Sequence, residues 1–204
     1  MHPAFGLLLG YLLGSIPFAY IAGKVSRGID LRQHGSGNLG ATNVYRTLGA
    51  KVASVVFVLD TLKGALPVLA VQRYAIGTHL DLWAIAAGVA AIVGHAKPIF
   101  LLWKGGGKGV ATGLGAFVML APKIVLIALG IFVAMVFAFR YISLASIVTV
   151  AVFPLFAWLL KAYGNTPPVL AVMAAASAFI IAKHRGNIRR LAAGTEPRFQ
   201  WRRG

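Results

Sequence analysis

The stretch GVATGLGAFVMLAPKIVLIALGIFVAMVFAFR, residues 109–140, carries a single charge, Lys123, before it closes on Arg140. It reads either as one long helix or as two short ones joined at Pro122–Lys123, where a proline would break the helix. The choice sets how many times the chain crosses a membrane, and so the side on which each polar loop lies. Outward from this stretch, apolar segments run over 4–23, 50–72, 80–103, 142–160 and 168–182, with short polar loops between them. Runs of this length and character are transmembrane helices. Composition agrees: 59% of the 204 residues are hydrophobic and only 12% are charged, where a soluble domain would have about one-quarter charged. The first apolar run has no basic n-region and leads into a charged loop instead of a small-residue cleavage site, so it is expected to stay as a helix.

Charge parity decides between one helix and two. Cytoplasmic loops are rich in Lys and Arg. Lys24, Arg27, Arg32, Arg46 and Lys51 fall in one loop, Lys97, Lys104 and Lys108 in another, and Arg140 in a third. Lys183, Arg185, Arg189, Arg190, Arg198, Arg202 and Arg203 fall in the tail, while the alternate loops hold only Arg73, Lys123 and Lys161. Splitting 109–139 into spans 109–121 and 123–139 puts every basic cluster on one side. The expected fold is therefore an all-α integral membrane protein of seven transmembrane helices, some short or broken. The N-terminus is outside and the C-terminus cytoplasmic, in one polytopic domain with a basic tail from about residue 183. Gly10 and Gly14 form a GxxxG in the first span, the pattern of close helix packing.

The net charge is +16, and the only carboxylates are Asp30, Asp60, Asp81 and Glu196. So few acids weaken any mechanism built on a carboxylate cage for Mg²⁺ or on a carboxylate pair, and no metal or cofactor is expected. The absence of cysteine excludes disulfides and a thiolate nucleophile. Excess cations point to anionic partners such as lipid head groups or phosphorylated substrates. The apolar runs leave no soluble domain to present the charge to nucleic acid.

With this topology the Gly-rich polar segments share the cytoplasmic side: His34–Asn43, Lys104–Gly109, Arg140 with Ser143 and Ser146, and His184–Asn187. Lys104-Gly105-Gly106-Gly107-Lys108-Gly109 opens into an apolar helix. Glycines let backbone N–H groups approach a ligand, and the helix N-terminus adds partial positive charge, so this loop is a phosphate cradle in physical terms. It is not a Walker A loop, because Gly109 follows the lysine where Ser or Thr should stand. Segment 34–46 offers Ser36, Asn38, Thr42 and Asn43, which either form an Asx-type turn that caps the next helix or contact a ligand. Arg46 could grip phosphate through two parallel hydrogen bonds. Asp60 and Lys63, at i and i+3 inside the second span, read as a structural ion pair. His95 and His184 are each open to a structural reading, though Arg185 and Asn187 flank the second.

Together these residues carry a resemblance. Ser36-Gly37-Asn38-Leu39-Gly40-Ala41-Thr42-Asn43 with Arg46, Asp60-Thr61-Leu62-Lys63-Gly64, Gly94-His95, Gly106-Gly107-Lys108-Gly109-Val110-Ala111-Thr112, and His184-Arg185-Gly186-Asn187-Ile188-Arg189-Arg190-Leu191 with Gly194 and Glu196 resemble the bacterial acyl-phosphate:glycerol-3-phosphate acyltransferases, the PlsY family. The resemblance implies an enzyme of the inner membrane that moves an acyl chain from acyl phosphate to the 1-hydroxyl of sn-glycerol 3-phosphate. Lysophosphatidic acid and phosphate would be the products, in the first step of phospholipid synthesis. It also implies an upstream enzyme that produces the acyl phosphate. Ser36, Asn38, Thr42, Asn43, Gly105, Gly106, Gly107, Lys108 and Gly109 would hold the acyl phosphate. Arg46, Lys104, Ser143, His184 and Asn187 would hold glycerol 3-phosphate. His184, Asn187, Ser36, Lys104 and Lys108 are the catalytic candidates, and the hydroxyl proton would pass to His184 or to a substrate phosphate oxygen. Lys97 stands where the family usually has an aromatic, and Gly105–Gly107 make three glycines where it usually has two, so Lys104 and Lys108 can exchange roles. The competing class is a membrane transporter of phosphate or phosphate esters, which would place polar groups along its spans.

The topology makes a direct prediction. On this cysteine-free background, a cysteine placed at Ser36 or Asn187 should react with an impermeant maleimide only from the cytoplasmic side. Labelling from outside would overturn the placement of the polar loops.

Overall fold

The structure, a computed structural model, describes residues 1–200. Arg202, Arg203 and Gly204, counted above with the tail, lie outside the described residues. The described chain is helical throughout, and it forms two compact units, Met1–Leu120 and Ala121–Gly204.

The first unit begins with a correction. The apolar run over 4–23 is not one helix but α1 (Phe5–Gly14) and α2 (Phe18–Arg27), broken at Ser15-Ile16-Pro17. Pro17 has no N–H and disfavours helical geometry in the residue before it. The Ser15 hydroxyl donates to the Tyr11 carbonyl at 2.7 Å, and the carbonyl freed at Ile16 accepts from Lys63 Nζ at 2.8 Å. The basic loop that follows contains a short helix, α3 (Ala41–Leu48), and then α4 (Ala50–Tyr74) and α5 (Leu80–Ala96) form an antiparallel pair. The helix read over 80–103 stops at Ala96, before Pro98; a single 3₁₀ turn, Ile99–Leu101, leads through Leu102 and Trp103 into the glycine loop and α6 (Val110–Leu120). α5 packs on α1, α4 and α6.

Small residues set these contacts. A Cβ on Gly10 or Gly14 would run into the backbone of Ala87 or Ala91, so the GxxxG of α1 seats on α5. On the α4–α6 seam, Gly64 lies against the Thr112 carbonyl and Gly115 against the Thr61 carbonyl. Lipid tails are as apolar as leucine, so close backbone approach is what holds such helices together.

The second unit restarts at Pro122, a favourable first helical position. It contains α7 (Pro122–Phe139), α8 (Ile142–Leu159), α9 (Pro167–Lys183) and α10 (Arg185–Ala192). α8 packs between α7 and α9. α9 and α10 are bent by 58° at their junction. The segment after α10 folds back on the start of α8: the Phe199 N–H donates to the Arg140 carbonyl at 2.6 Å, and the Arg198 guanidinium lies 5.5 Å from the centre of the Tyr141 ring.

Five stretches are long and apolar enough to cross a membrane: Phe5–Arg27, Ala50–Tyr74, Leu80–Leu101, Pro122–Phe139 and Ile142–Leu159. The bent α9–α10 pair would make a sixth. α6, expected as a span over 109–121, has 11 residues and rises only about 16 Å, too little to cross alone.

Gly14→Ala should therefore push a methyl group into the Ala91 backbone and cost about 1–3 kcal/mol, read as a lower thermal midpoint in detergent. Gly130→Ala, at a helical glycine with open space around it, should leave the midpoint unchanged.

Candidate functional site

In the first unit the candidate residues lie on two loops tied to each other. Leu31, Leu39 and Val44 are fully buried, and with Ala19, Ala53 and Val56 they fasten the 30–44 segment from below. Asn43 organises its upper part. Its side-chain oxygen accepts from the Ser36 N–H at 2.8 Å, and its NH₂ donates to the carbonyls of His34 at 3.0 Å and Leu31 at 3.4 Å. Gly35 and Gly37 take the left-handed conformation this turn requires. Asn43 is 1% exposed, and its hydrogen bonds hold the loop together. Ser36 is exposed, and Asn38, Thr42 and Arg46 are half-buried. The expected side-chain cap is not made, since Gly40 occupies the N-cap of α3.

Asp30 and Arg32 form a local clamp that sequence reasoning missed. Arg32 donates from Nε and Nη2 to the Asp30 carboxylate at 3.0 and 2.6 Å, and the Arg32 N–H adds a third bond. The guanidinium holds the Asp30 carboxyl below its usual range. Arg32 Nη1 then donates across to the Lys104 carbonyl at 3.0 Å, and the Leu39 N–H donates to the Gly106 carbonyl at 3.3 Å. The two loops are thus strapped together at Lys104 and at Gly106. Gly105, Gly106 and Gly109 all have positive φ. A Cβ on Gly106 would meet the Ala96 carbonyl. Lys104 is exposed and Lys108 half-buried, and the loop ends where the α6 N-terminus begins. Backbone donors, helix dipole and two cations therefore gather where an anion would bind.

Beneath the glycine run, Asp60 and Lys63 form a buried ion pair at 2.7 Å, and His95 Nδ1 lies 3.6 Å from the same carboxylate oxygen.

In the second unit the structure assembles a cluster around a residue that sequence reasoning had quoted but given no role. Glu196 is 7% exposed. Its Oε1 accepts from Ser143 Oγ at 2.6 Å and from Asn187 Nδ2 at 2.7 Å, while Oε2 accepts from Arg190 Nε at 2.7 Å. Burial pushes the Glu196 carboxyl up, but the donors Ser143, Asn187 and Arg190 outweigh it and leave the group below its usual range. A carboxylate stabilised in its charged form is a poor base and a good orienter. His184 is buried, with Nδ1 2.8 Å from the Ile180 carbonyl; the roles at that nitrogen follow from the tautomer. The signal available for Glu196 was its rarity, as one of four acids in the chain.

Because its folded pKa is depressed, Glu196 contributes stability above the ordinary carboxylate range, and that contribution is lost as pH falls through the folded value. Glu196→Gln, which turns an amide NH₂ toward a donor, should cost about 1.5–3 kcal/mol at neutral pH. The difference from the parent should shrink as pH drops below the ordinary carboxylate range, measured by thermal unfolding in detergent.

Comparison with known proteins follows this geometry. A family profile described as glycerol-3-phosphate acyltransferase matches residues 4–194. Glycerol-3-phosphate acyltransferases of Synechococcus sp. and Bacillus velezensis are 48% and 41% identical, covering 94% and 96% of this chain and 92% and 96% of their own lengths. Crystal structures of PlsY, an integral membrane glycerol 3-phosphate acyltransferase, are similar as well. Its glycerol 3-phosphate form superposes with a TM-score of 0.87 at 40% identity, over 97% of this chain and 96% of the other. Its lysophosphatidic acid form gives 0.84 at 39% identity.

Proposed function

The chain belongs to the glycerol-3-phosphate acyltransferase family, and we propose that it takes its acyl chain from acyl phosphate and esterifies the 1-hydroxyl of sn-glycerol 3-phosphate, releasing lysophosphatidic acid and phosphate. The observation that carries the donor assignment is the glycine–lysine loop strapped to the 36–43 segment. It presents backbone donors, a helix N-terminus and two lysines to a leaving phosphate, and a thioester sulfur could use none of these.

An acyl phosphate is already activated, so the work of the enzyme is positioning and charge stabilisation. Gly105, Gly106 and Gly109 with Lys108 grip the donor phosphate, Gly107 holds the loop in place through its N–H to the His95 carbonyl, and Ser36, Asn38 and Thr42 aid the grip while Asn43 keeps that segment in shape. Arg46 and Lys104 take the acceptor phosphate. In the second unit, Glu196 orients the Ser143 hydroxyl and the Asn187 amide. The hydroxyl oxygen attacks the acyl carbonyl carbon, the bond to the phosphate oxygen breaks, and phosphate departs. We assign the hydroxyl proton to a substrate phosphate oxygen. The buried carboxylates support this, because Asp60 is engaged by Lys63 and Glu196 by three donors.

The same reading places the enzyme in the inner membrane with seven membrane segments, the N-terminus outside and the glycine loop facing the cytoplasm. Five full-length spans and the bent α9–α10 pair support six of these, the short α6 is taken as the seventh, and the basic loops support both that choice and the orientation. An enzyme that makes acyl phosphate must act upstream.

The test is phosphate release by purified protein in detergent, given acyl phosphate and glycerol 3-phosphate in excess EDTA. Acyl-CoA at the same concentration should give little turnover, and equal rates would overturn the donor assignment. Arg46→Lys keeps the charge but loses the fork. Loss of one charge-assisted hydrogen bond, ~1.5–3 kcal/mol, should raise the glycerol 3-phosphate KM roughly ten- to a hundredfold, with the donor KM unmoved. Gly106→Ala should raise the donor KM instead. A shared response would show that the two phosphates are not held separately.

A further inference from the structure

The mechanism leaves three buried ionisable groups unused: Asp60, Lys63 and His95, with side chains 2%, 3% and 6% exposed. They line one small pocket together with Ser15, Leu39 and Gly106. Lys63 spends its charge on Asp60 and on the Ile16 carbonyl, and its ammonium also lies 5.4 Å from the centre of the Phe18 ring. His95 turns Nδ1 toward Asp60. Ionisable groups at membrane depth are costly, and one that only filled space could be replaced by an apolar residue.

The glycine loop lies directly on this cluster. The Gly107 N–H donates to the His95 carbonyl at 3.0 Å. Gly106 sits against the carbonyls of His95 and Ala96. Gly107 is the informative position. Gly105, Gly106 and Gly109 have the positive φ that favours glycine, and Gly107 does not. Its backbone would accept any residue. What keeps a side chain off it is the His95 imidazole, into whose Nε2 a Cβ would run.

We propose that the imidazole of His95, beside Asp60 in a contact that Lys63 charge-balances, is the floor on which Gly107 lies, which makes His95 a positioning residue for the phosphate bound by the loop. This rests on the reading that the loop holds the donor phosphate. The imidazole touches no substrate. It fixes the height and tilt of the loop, and so the direction of the backbone donors, where a displacement near 1 Å can cost on the order of a hundredfold in rate.

A suppression experiment tests this, with both KM values and kcat measured on purified variants in detergent. Gly107→Ala should raise the acyl-phosphate KM tenfold or more, and His95→Ala should raise it severalfold. The double variant should bind donor better than Gly107→Ala alone, because removing the ring opens the space the methyl group needs. If the two effects simply multiply, the imidazole is not the floor and the proposal falls. A second pair covers a His95→Ala that does not fold. His95→Gln keeps a donor for Asp60, and His95→Phe keeps a ring without one. A donor KM closer to the parent for Gln than for Phe supports the tether, while Phe equal to or better than Gln overturns it. The two readings fail separately. Suppression that appears in the glycerol 3-phosphate KM keeps His95 as the floor and refutes the donor assignment. A donor KM that responds to Gly106→Ala but to no His95 variant keeps the assignment and refutes the floor.

Discussion

Lys63 answers two demands that would each be costly at membrane depth. Breaking the first span at Pro17 leaves the Ile16 carbonyl without a helical partner, and Asp60 is a carboxylate in an almost closed environment. One ammonium lies within 2.8 Å of the first, which also accepts from the Phe18 N–H at 3.1 Å, and within 2.7 Å of the second. Backbone groups in a membrane must find partners inside the protein, so the break between α1 and α2 and the pair on α4 depend on one another. The α1–α2 junction, α4 and α5 meet at this point, and the glycine loop rests above it.

Close packing follows the same logic. Helix association in lipid has little hydrophobic drive and depends on backbones that can touch. Gly14 meets Ala91, Gly64 meets Thr112 and Gly115 meets Thr61, and these seams fix α1, α4, α5 and α6 as one body. The glycines of the 104–109 loop serve a different end. Three of them permit conformations that other residues resist, and the fourth leaves room for an imidazole. Both uses look alike in a sequence, because what distinguishes them is the neighbour.

The second unit is organised by a carboxylate instead of a lysine. Glu196 draws Ser143 from α8 and Asn187 and Arg190 from α10 onto one side chain. It thereby returns the chain after α10 to the start of α8. Three donors to one buried acid give direction as well as energy: the Ser143 hydroxyl and the Asn187 amide each have a set orientation.

Residue type and local pattern determined much of this protein. Mean hydropathy of +0.81 and uncharged runs such as Ile124–Phe139 require helices in a membrane. The glycine–lysine run requires an irregular loop before α6, and the i, i+3 spacing of Asp60 and Lys63 places both on one helix face. These are legible because each depends on neighbours along the chain. The Lys63 bond to the Ile16 carbonyl, the bonds of Asn43 within its loop, the hub at Glu196 and the contact between Gly107 and His95 were not. Some of the partners lie far away in sequence: Lys63 is 47 residues from Ile16, and Ser143 is 53 from Glu196; others, such as Ser36 and Asn43, are nearer but joined by irregular backbone that no helical or strand spacing reveals. Which donor reaches which acceptor is decided only when helices pack and bring remote backbones within hydrogen-bond distance. The sequence by itself determined which groups would need partners in a low-dielectric medium, and tertiary structure alone decided which partners they obtained.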